Sequence, residues 1–194
     1  MPLFDHFGLL APIYVRFFPP PDPSDWRRVL HRPADGALLA AGGGTGRVTA
    51  QFSAQATQIV IADVSHGMLV QALKQNDVQV VQAPAEQLPF PDGAFARVIV
   101  VDALHHMADA KLALTELVRV LAPGGRLVIQ EPDWQRPLMR LVAWAEKLAL
   151  MRSHPYLSED MLQMAAQAGG RAHCVRADTN TIWVIVDKPV TGAG

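Results

Sequence analysis

Leu38-Leu39-Ala40-Ala41-Gly42-Gly43-Gly44-Thr45-Gly46 is the stretch on which the fold turns. A short apolar run that stops at a glycine cluster reads as a buried strand and a tight turn. Arg47-Val48-Thr49-Ala50-Gln51-Phe52 then fits a helix. Strand, glycine loop and helix together are the unit by which α/β proteins turn backbone N–H groups and a helix N-terminus toward a ligand. Without a Cβ, the glycines allow the sharp turn and close approach.

Working outward, the chain alternates apolar runs with helical patterns. Gln58-Ile59-Val60-Ile61-Ala62 is a second strand, ending at Asp63, and Ser65 caps a helix running to Leu73. Gln79-Val80-Val81-Gln82 is a third strand, and Arg97-Val98-Ile99-Val100-Val101 a fourth that stops at Asp102. Asp109 opens a helix that Pro123-Gly124-Gly125 breaks, and Arg126-Leu127-Val128-Ile129-Gln130 is a fifth strand. These strands are continuously apolar, as expected when helices cover both faces of a parallel sheet. Helices at 138–151 and 158–168, the latter with Ser158 as N-cap, precede strands at 172–176 and 181–186. The short link between those two strands makes a hairpin, so one of them runs antiparallel to the rest. The expected fold is therefore a doubly wound, mostly parallel α/β sheet with a C-terminal antiparallel hairpin. The polar or glycine stops at Gly42, Asp63, Ala85-Glu86, Asp102 and Glu131 fall at the strand ends where such folds bind ligands.

The 194 residues suit one domain, 1–194: an N-terminal lid or helix at 1–22, a ligand-binding core at 23–132, and C-terminal helices and hairpin at 133–188. Half the residues are hydrophobic and 18% charged, a globular composition. The net charge is −1 and the basic residues are scattered, so no nucleic-acid footprint is visible. Cys174 is the lone cysteine and reads as a small buried hydrophobe; it excludes an intramolecular disulfide and a cysteine metal cluster. The N-terminus lacks the pattern of a signal peptide, and the apolar runs are shorter than a membrane span. A cytoplasmic location is the default expectation.

Gly42, Gly44 and Gly46 spell G-x-G-x-G. The dinucleotide fingerprint G-x-G-x-x-G would need glycine where Arg47 stands, and no Gly-Lys-Ser/Thr follows as in a phosphate-binding loop. The loop thus fits a nucleoside cofactor without a pyrophosphate. Asp63, 21 residues after Gly42, can accept from both ribose hydroxyls; its alternative is a helix-capping role.

Five stretches in order resemble the class I S-adenosylmethionine-dependent methyltransferases, type 11 group, which includes the quinone-biosynthesis enzymes. They are Gly42-Gly43-Gly44-Thr45-Gly46, Ala62-Asp63-Val64-Ser65-His66-Gly67-Met68-Leu69, Ala85-Glu86-Gln87-Leu88-Pro89-Phe90-Pro91-Asp92, Ala103-Leu104-His105-His106, and Arg119-Val120-Leu121-Ala122-Pro123-Gly124-Gly125-Arg126-Leu127. The resemblance covers residues 36–132 and implies a seven-stranded Rossmann-like sheet. It implies that Gly42, Gly43, Gly44, Thr45 and Gly46 cradle the methionine part of S-adenosylmethionine. Asp63 would bind the ribose, Val64 and Met68 would pack near the adenine, and Ala85 and Glu86 would line its edge. Asp102 and Ala103 would sit beside the sulfonium. The chain departs from the family at Ala40, Pro84 and Ala96, where acidic residues are usual, and Val15 also replaces a common aspartate.

The reaction so implied is methyl transfer to a small, apolar or aromatic acceptor. Asp102, His105 and His106 are candidate catalytic groups by position; alternatively one histidine lines the pocket while the other packs locally. Tyr14, Phe18, His105 and Trp134 are candidate acceptor contacts, and Glu131 either orients the acceptor or supports the fold. Adjacent histidine side chains usually diverge, so no metal site is expected. The missing acids leave a second function open, a cofactor-binding or regulatory protein without turnover. The expected partners are a small-molecule acceptor and at most a second copy of the chain, with no nucleic acid.

Overall fold

The computed structural model describes residues 26, 28–30, 36–52, 56–139 and 154–190. The lid at 1–22 with Tyr14, Val15 and Phe18, and nearly all of the helix expected at 138–151, lie outside the described residues.

One seven-stranded sheet organises the chain, in the order β3-β2-β1-β4-β5-β7-β6. The strands are β1 (Ala37–Ala41), β2 (Gln58–Asp63), β3 (Val78–Gln82), β4 (Phe95–Val101), β5 (Leu121–Pro132), β6 (Arg171–Arg176) and β7 (Thr181–Asp187). Pairings β3/β2, β2/β1, β1/β4 and β4/β5 are parallel, while β7 pairs antiparallel with both β5 and β6. The expected reversal is therefore at β7. After β1 the chain steps outward to β2 and β3, then returns to lay β4 on the other side of β1. That reversal opens a crevice outside the carboxyl ends of β1 and β4.

The apolar runs are continuous because both faces are covered. Leu39, Ala41, Val60, Ala62, Val98 and Val100 pack on one face with helices α2 (Ala110–Val120) and α3 (Ser158–Gln167). Leu38, Ala40, Ile59, Ile61 and Ile99 pack on the other with Trp26, Phe52 and Trp183. Burying each of the Leu, Val, Ile and Phe side chains among these contributes about 1.5–3 kcal/mol. Helix α2 buries Ala110, Ala113, Leu114, Leu117 and Val118, a single stripe at helical spacing. Its N-cap is Asp109, whose carboxylate accepts the Leu112 N–H at 3.0 Å. Asp109→Ala should therefore cost about 1 kcal/mol, read as a melting temperature lowered by about 2–4 °C.

Helix α1 (His66–Ala72) is capped by Ser65 as expected, the hydroxyl accepting from Met68 N–H at 3.2 Å. Three expectations need correction. First, residues 47–52 do not form an α-helix; after two turn residues the chain makes a single 3-10 turn, Thr49–Phe52. Thr49 Oγ1 donates to Gly46 O at 2.7 Å, and side-chain competition of this kind, with β-branched Val48 and Thr49, disfavours a regular helix. Second, the α3 cap lies one residue earlier than expected: Leu157 is the N-cap and its N–H is accepted by Asp160 Oδ2 at 3.1 Å. Third, Cys174 is exposed rather than buried. β6 is the sheet edge beyond β7, and Arg171, His173, Cys174 and Arg176 along it are exposed.

Candidate active site

The glycine loop folds back onto β2. Gly42 and Gly43 donate N–H bonds to Ala62 O at 2.8 and 3.3 Å, and Gly46 N–H donates to Gly43 O at 2.9 Å. Gly42, Gly44 and Gly46 have φ of +62°, +56° and +75°, a region that L side chains enter only at a cost. Gly44 N–H donates to Asp63 Oδ2 at 2.8 Å, and Ser65 N–H donates to Asp63 Oδ1 at 2.8 Å. Asp63 thus ties the loop to the start of α1. Several loop N–H groups expected to face a ligand are instead used within the protein. The loop offers close backbone approach, with Asp63 fixed beside it.

Two features of the cradle fit a nucleoside cofactor. A Cβ at Gly44 would meet only Met68 Sδ, at 3.9 Å, so that side of the loop is kept clear by glycine. Thr45 is 3% exposed and its hydroxyl has no hydrogen-bond partner among the described residues. Buried hydroxyls are normally paired, so this one is suited to a bound polar group. Thr45→Val should leave the melting temperature unchanged or slightly raised, yet weaken S-adenosylmethionine binding severalfold, about 1 kcal/mol. Calorimetry and thermal melts on the same protein check both halves.

Val64 is on the surface and Met68 is buried beneath the loop. Ala85 is buried. Glu86 Oε1 accepts the Ala108 and Asp109 N–H groups at 2.7 and 3.2 Å, so it anchors the turn before α2. Where the family has acids, Ala40 is buried in the core and Pro84 is exposed.

Across the crevice, the chain leaves β4 at Asp102, a non-glycine residue with φ +50°. Such strained residues cluster at functional sites. Arg47 Nη2 donates to Asp102 Oδ2 at 3.1 Å, joining the glycine loop to the β4 end. Burial pushes the Asp102 carboxyl above the usual range, and the Glu131 charge adds to this; Arg47 and His105 pull it down. Ala103 packs against the loop, since a Cβ at Gly42 would lie 2.7 Å from Ala103 Cβ.

A short 3-10 turn, Leu104–His106, carries the histidine pair. The two rings do not diverge as expected; their centroids are 4.0 Å apart at 48°. The tight turn brings successive side chains together. Among the described residues no group of three or more His, Cys, Asp or Glu could hold a metal ion. His105 is 3% exposed, and its Nδ1 bonds Glu131 Oε2. Glu131 Oε1 accepts from Ala103 and Leu104 N–H at 3.1 and 2.8 Å. Trp134 meets the His105 ring edge to face at 5.2 Å and is 4% exposed, with its indole N–H unpartnered among the described residues.

The structure therefore brings Asp102 and Ala103 beside the glycine loop and gathers His105, His106 and Trp134 around the turn that follows. Arg47 is a member that motif reading passes over as a departure from a different fingerprint. Nothing in its spacing signals its partner, 55 residues away.

Residues 39–129 match the family described as "Methyltransferase domain". Over 104 residues the chain is 41% identical to the ubiquinone/menaquinone biosynthesis C-methyltransferase UbiE of Psychromonas ingrahamii, covering 48% of this chain and 41% of that protein. The chain thus matches less than half the length of that relative. In fold it is similar to an S-adenosylmethionine-dependent methyltransferase of Thermotoga maritima, with a TM-score of 0.79, 21% identity, and coverage of 94% of this chain and 98% of that one. It is also similar to the cyclase SpnF, with a TM-score of 0.78, 18% identity, and coverage of 95% and 94%. Motif order, strand order and family match agree over residues 39–129, which are similar throughout to that methyltransferase domain family.

Proposed function

We propose that this protein transfers a methyl group from S-adenosylmethionine to a small, apolar or aromatic acceptor. The observation that carries the proposal is the Asp63 carboxylate at the end of β2, bonded to Gly44 N–H of the glycine loop, next to the point where the strand order reverses about β1. A fold shared with a cyclase does not by itself specify methyl transfer, so the reading rests on the site.

In this reading Gly42, Gly43, Gly44, Thr45 and Gly46 hold the methionine part and Asp63 the ribose. Val64, Met68, Ala85 and Glu86 border the adenine, and Asp102 and Ala103 border the methyl-bearing sulfur. When bound, the cofactor supplies a sulfonium methyl: the S–C bond breaks with its electron pair left on sulfur, the acceptor's nucleophilic atom gains the carbon, and a proton on that atom must be removed. His105, His106 and Asp102 are the groups placed to manage that proton, and Trp134 walls the acceptor side. Holding the acceptor in line in a water-poor crevice supplies much of the acceleration.

Calorimetric titration with S-adenosylmethionine and S-adenosylhomocysteine tests the reading. Dissociation constants below about 1 mM are expected, the upper range of working enzyme affinities. No heat of binding at that concentration would sink it. Binding without methylation of any quinol, phenol or amine offered would point instead to a cofactor-binding protein on the same fold. A cytoplasmic location and a monomeric or homodimeric state belong to the same proposal; gel filtration tests the latter. Among the described residues no helix is long and apolar enough to cross a membrane.

A further inference from the structure

Asp133 follows directly on β5, and its N–H donates to Asn180 O at 2.6 Å, so the β5–β7 ladder continues one step past Pro132. Its carboxylate is 5% exposed. Oδ1 accepts Gln135 N–H at 3.2 Å, while Oδ2 accepts both Arg136 Nε at 3.3 Å and Arg176 Nη2 at 3.1 Å. One cation neutralises a buried carboxylate; here two converge on the same oxygen. A guanidinium presents five N–H donors in a planar fork, and each of these spends one on Asp133. The two arginine side chains are 39% and 55% exposed, and among the described residues neither has another acidic partner. The cluster therefore carries a surplus positive charge with further donors side by side, a chemistry that suits a carboxylate taken up by both its oxygens.

The strand register puts this cluster on the face of the sheet that carries the candidate active site. Glu131 pairs with Ile182, and Ile182 pairs with Arg176. Directly opposed residues of antiparallel strands project from the same face, so these three share one row. Asp133 lies two residues past Glu131, about 7 Å along the strand, and returns to that face. Glu131 in turn bonds the Ala103 and Leu104 N–H groups and His105. Trp134 links the two places: it follows Asp133 in sequence, and its ring meets that of His105. Its buried indole N–H, unpartnered among the described residues, is open to an oxygen of a ligand, since buried donors are normally paired.

We propose that Arg136 and Arg176, held by Asp133, form an anion subsite for the methyl acceptor, and that the acceptor is an aromatic acid whose carboxylate they bind. This deepens, and rests on, the methyl-transfer reading given above. The ring lies against Trp134, with the carboxylate on the two guanidinium groups and the reacting end toward Ala103. The interval between Glu131 and Asp133 suits a single ring that carries its hydroxyl at one end and its carboxylate at the other. Asp133 keeps the two like charges together while no ligand is bound, so the fork is preorganised.

Proton–nitrogen NMR of the 15N-labelled full chain at slightly acidic pH, with S-adenosylhomocysteine present, reads the arginine Nε–H groups. Those of Arg136 and Arg176 are assigned by their loss in Arg136→Gln and Arg176→Gln. Titration with para-hydroxybenzoate should shift both signals. Its dissociation constant should be at least about tenfold below those of the neutral para-hydroxybenzamide and of acetate. Arg176→Gln leaves Arg136 on Asp133 and should cut the preference for acid over amide to about threefold or less. Equal affinity for acid and amide would overturn the proposal, and so would no shift with any probe or a preference unchanged in Arg176→Gln. Acetate binding as tightly as para-hydroxybenzoate would mean an adventitious ion only and would overturn it too. The wild-type titrations decide even if the variant does not fold. Calorimetry with S-adenosylhomocysteine on the same wild-type sample keeps the two levels apart. Failure to bind it sinks the methyl-transfer reading and leaves the anion site standing; binding it without a preference for the acid sinks the anion site and leaves cofactor binding standing.

Discussion

Replacing Asp63 with alanine should weaken S-adenosylmethionine binding by about tenfold or more, and lower stability as well. Tenfold is about 1.4 kcal/mol, the scale of lost charge-assisted hydrogen bonds to a ligand. The stability loss has a separate origin. Asp63 accepts from Gly44 N–H and Ser65 N–H, both at 2.8 Å, so alanine leaves two backbone donors without their anionic partner. For a half-buried carboxylate this is worth about 2 kcal/mol, or a melting temperature lower by about 4–8 °C. The two readouts test different statements. Unchanged affinity would refute the ribose role, and an unchanged melting temperature would refute the bridging role. Asp63→Asn should behave nearly as badly, because its NH2 group must face one of the two N–H donors.

Gly42→Ala should be the more damaging change to the fold. At φ +62° an alanine costs about 1–2 kcal/mol. Its Cβ would also lie 2.7 Å from Ala103 Cβ, which has no rotamer to escape into. Relief requires moving the 102–104 turn, which holds Asp102 in its strained conformation and donates Ala103 and Leu104 N–H bonds to Glu131. Overpacking of this kind adds about 1–3 kcal/mol, for a total of about 2–5 kcal/mol. Gly44→Ala is the control. Its φ is +56°, yet the added methyl would meet only Met68 Sδ at 3.9 Å, so only the backbone strain applies. Chemical denaturation of both variants should rank Gly42→Ala as the less stable. Equal losses would show that the contact with Ala103 does not constrain the site.

The structure also changes how the missing acids should be weighed. Ala40 faces a core of Leu38, Ile59, Ile61 and Trp183. A carboxylate there would need a buried partner, and none of its described neighbours in that core is basic. Arg47 lies within the same loop and brings a charge to the crevice through Asp102. The ion pair described at the end of β4 is Arg47 with Asp102, and the buried carboxylate beside it is Glu131, bonded to His105.

By itself the sequence determined the sheet. Leu38-Leu39-Ala40-Ala41, Ile59-Val60-Ile61 and Val98-Ile99-Val100 are apolar at every position, which only a strand covered on both faces satisfies. Local chemistry also made the Ser65 and Asp109 caps legible, because a cap bonds an amide three residues away. Local pattern failed where competing local bonds or distant cover decided the outcome, as in the 3-10 turn at Thr49–Phe52 and the exposure of Cys174 at the sheet edge. The site was legible as a set of strand ends but not as a set of pairs. Asp102 meets Arg47 across 55 residues, and His105 meets Glu131 across 26. Those pairings exist only because β4 lies between β1 and β5, in a register that sets Val101 beside Gln130. Spacing along the chain carries no information about that register. Tertiary structure alone decided which side chain each carboxylate meets, Arg47 for Asp102 and His105 for Glu131.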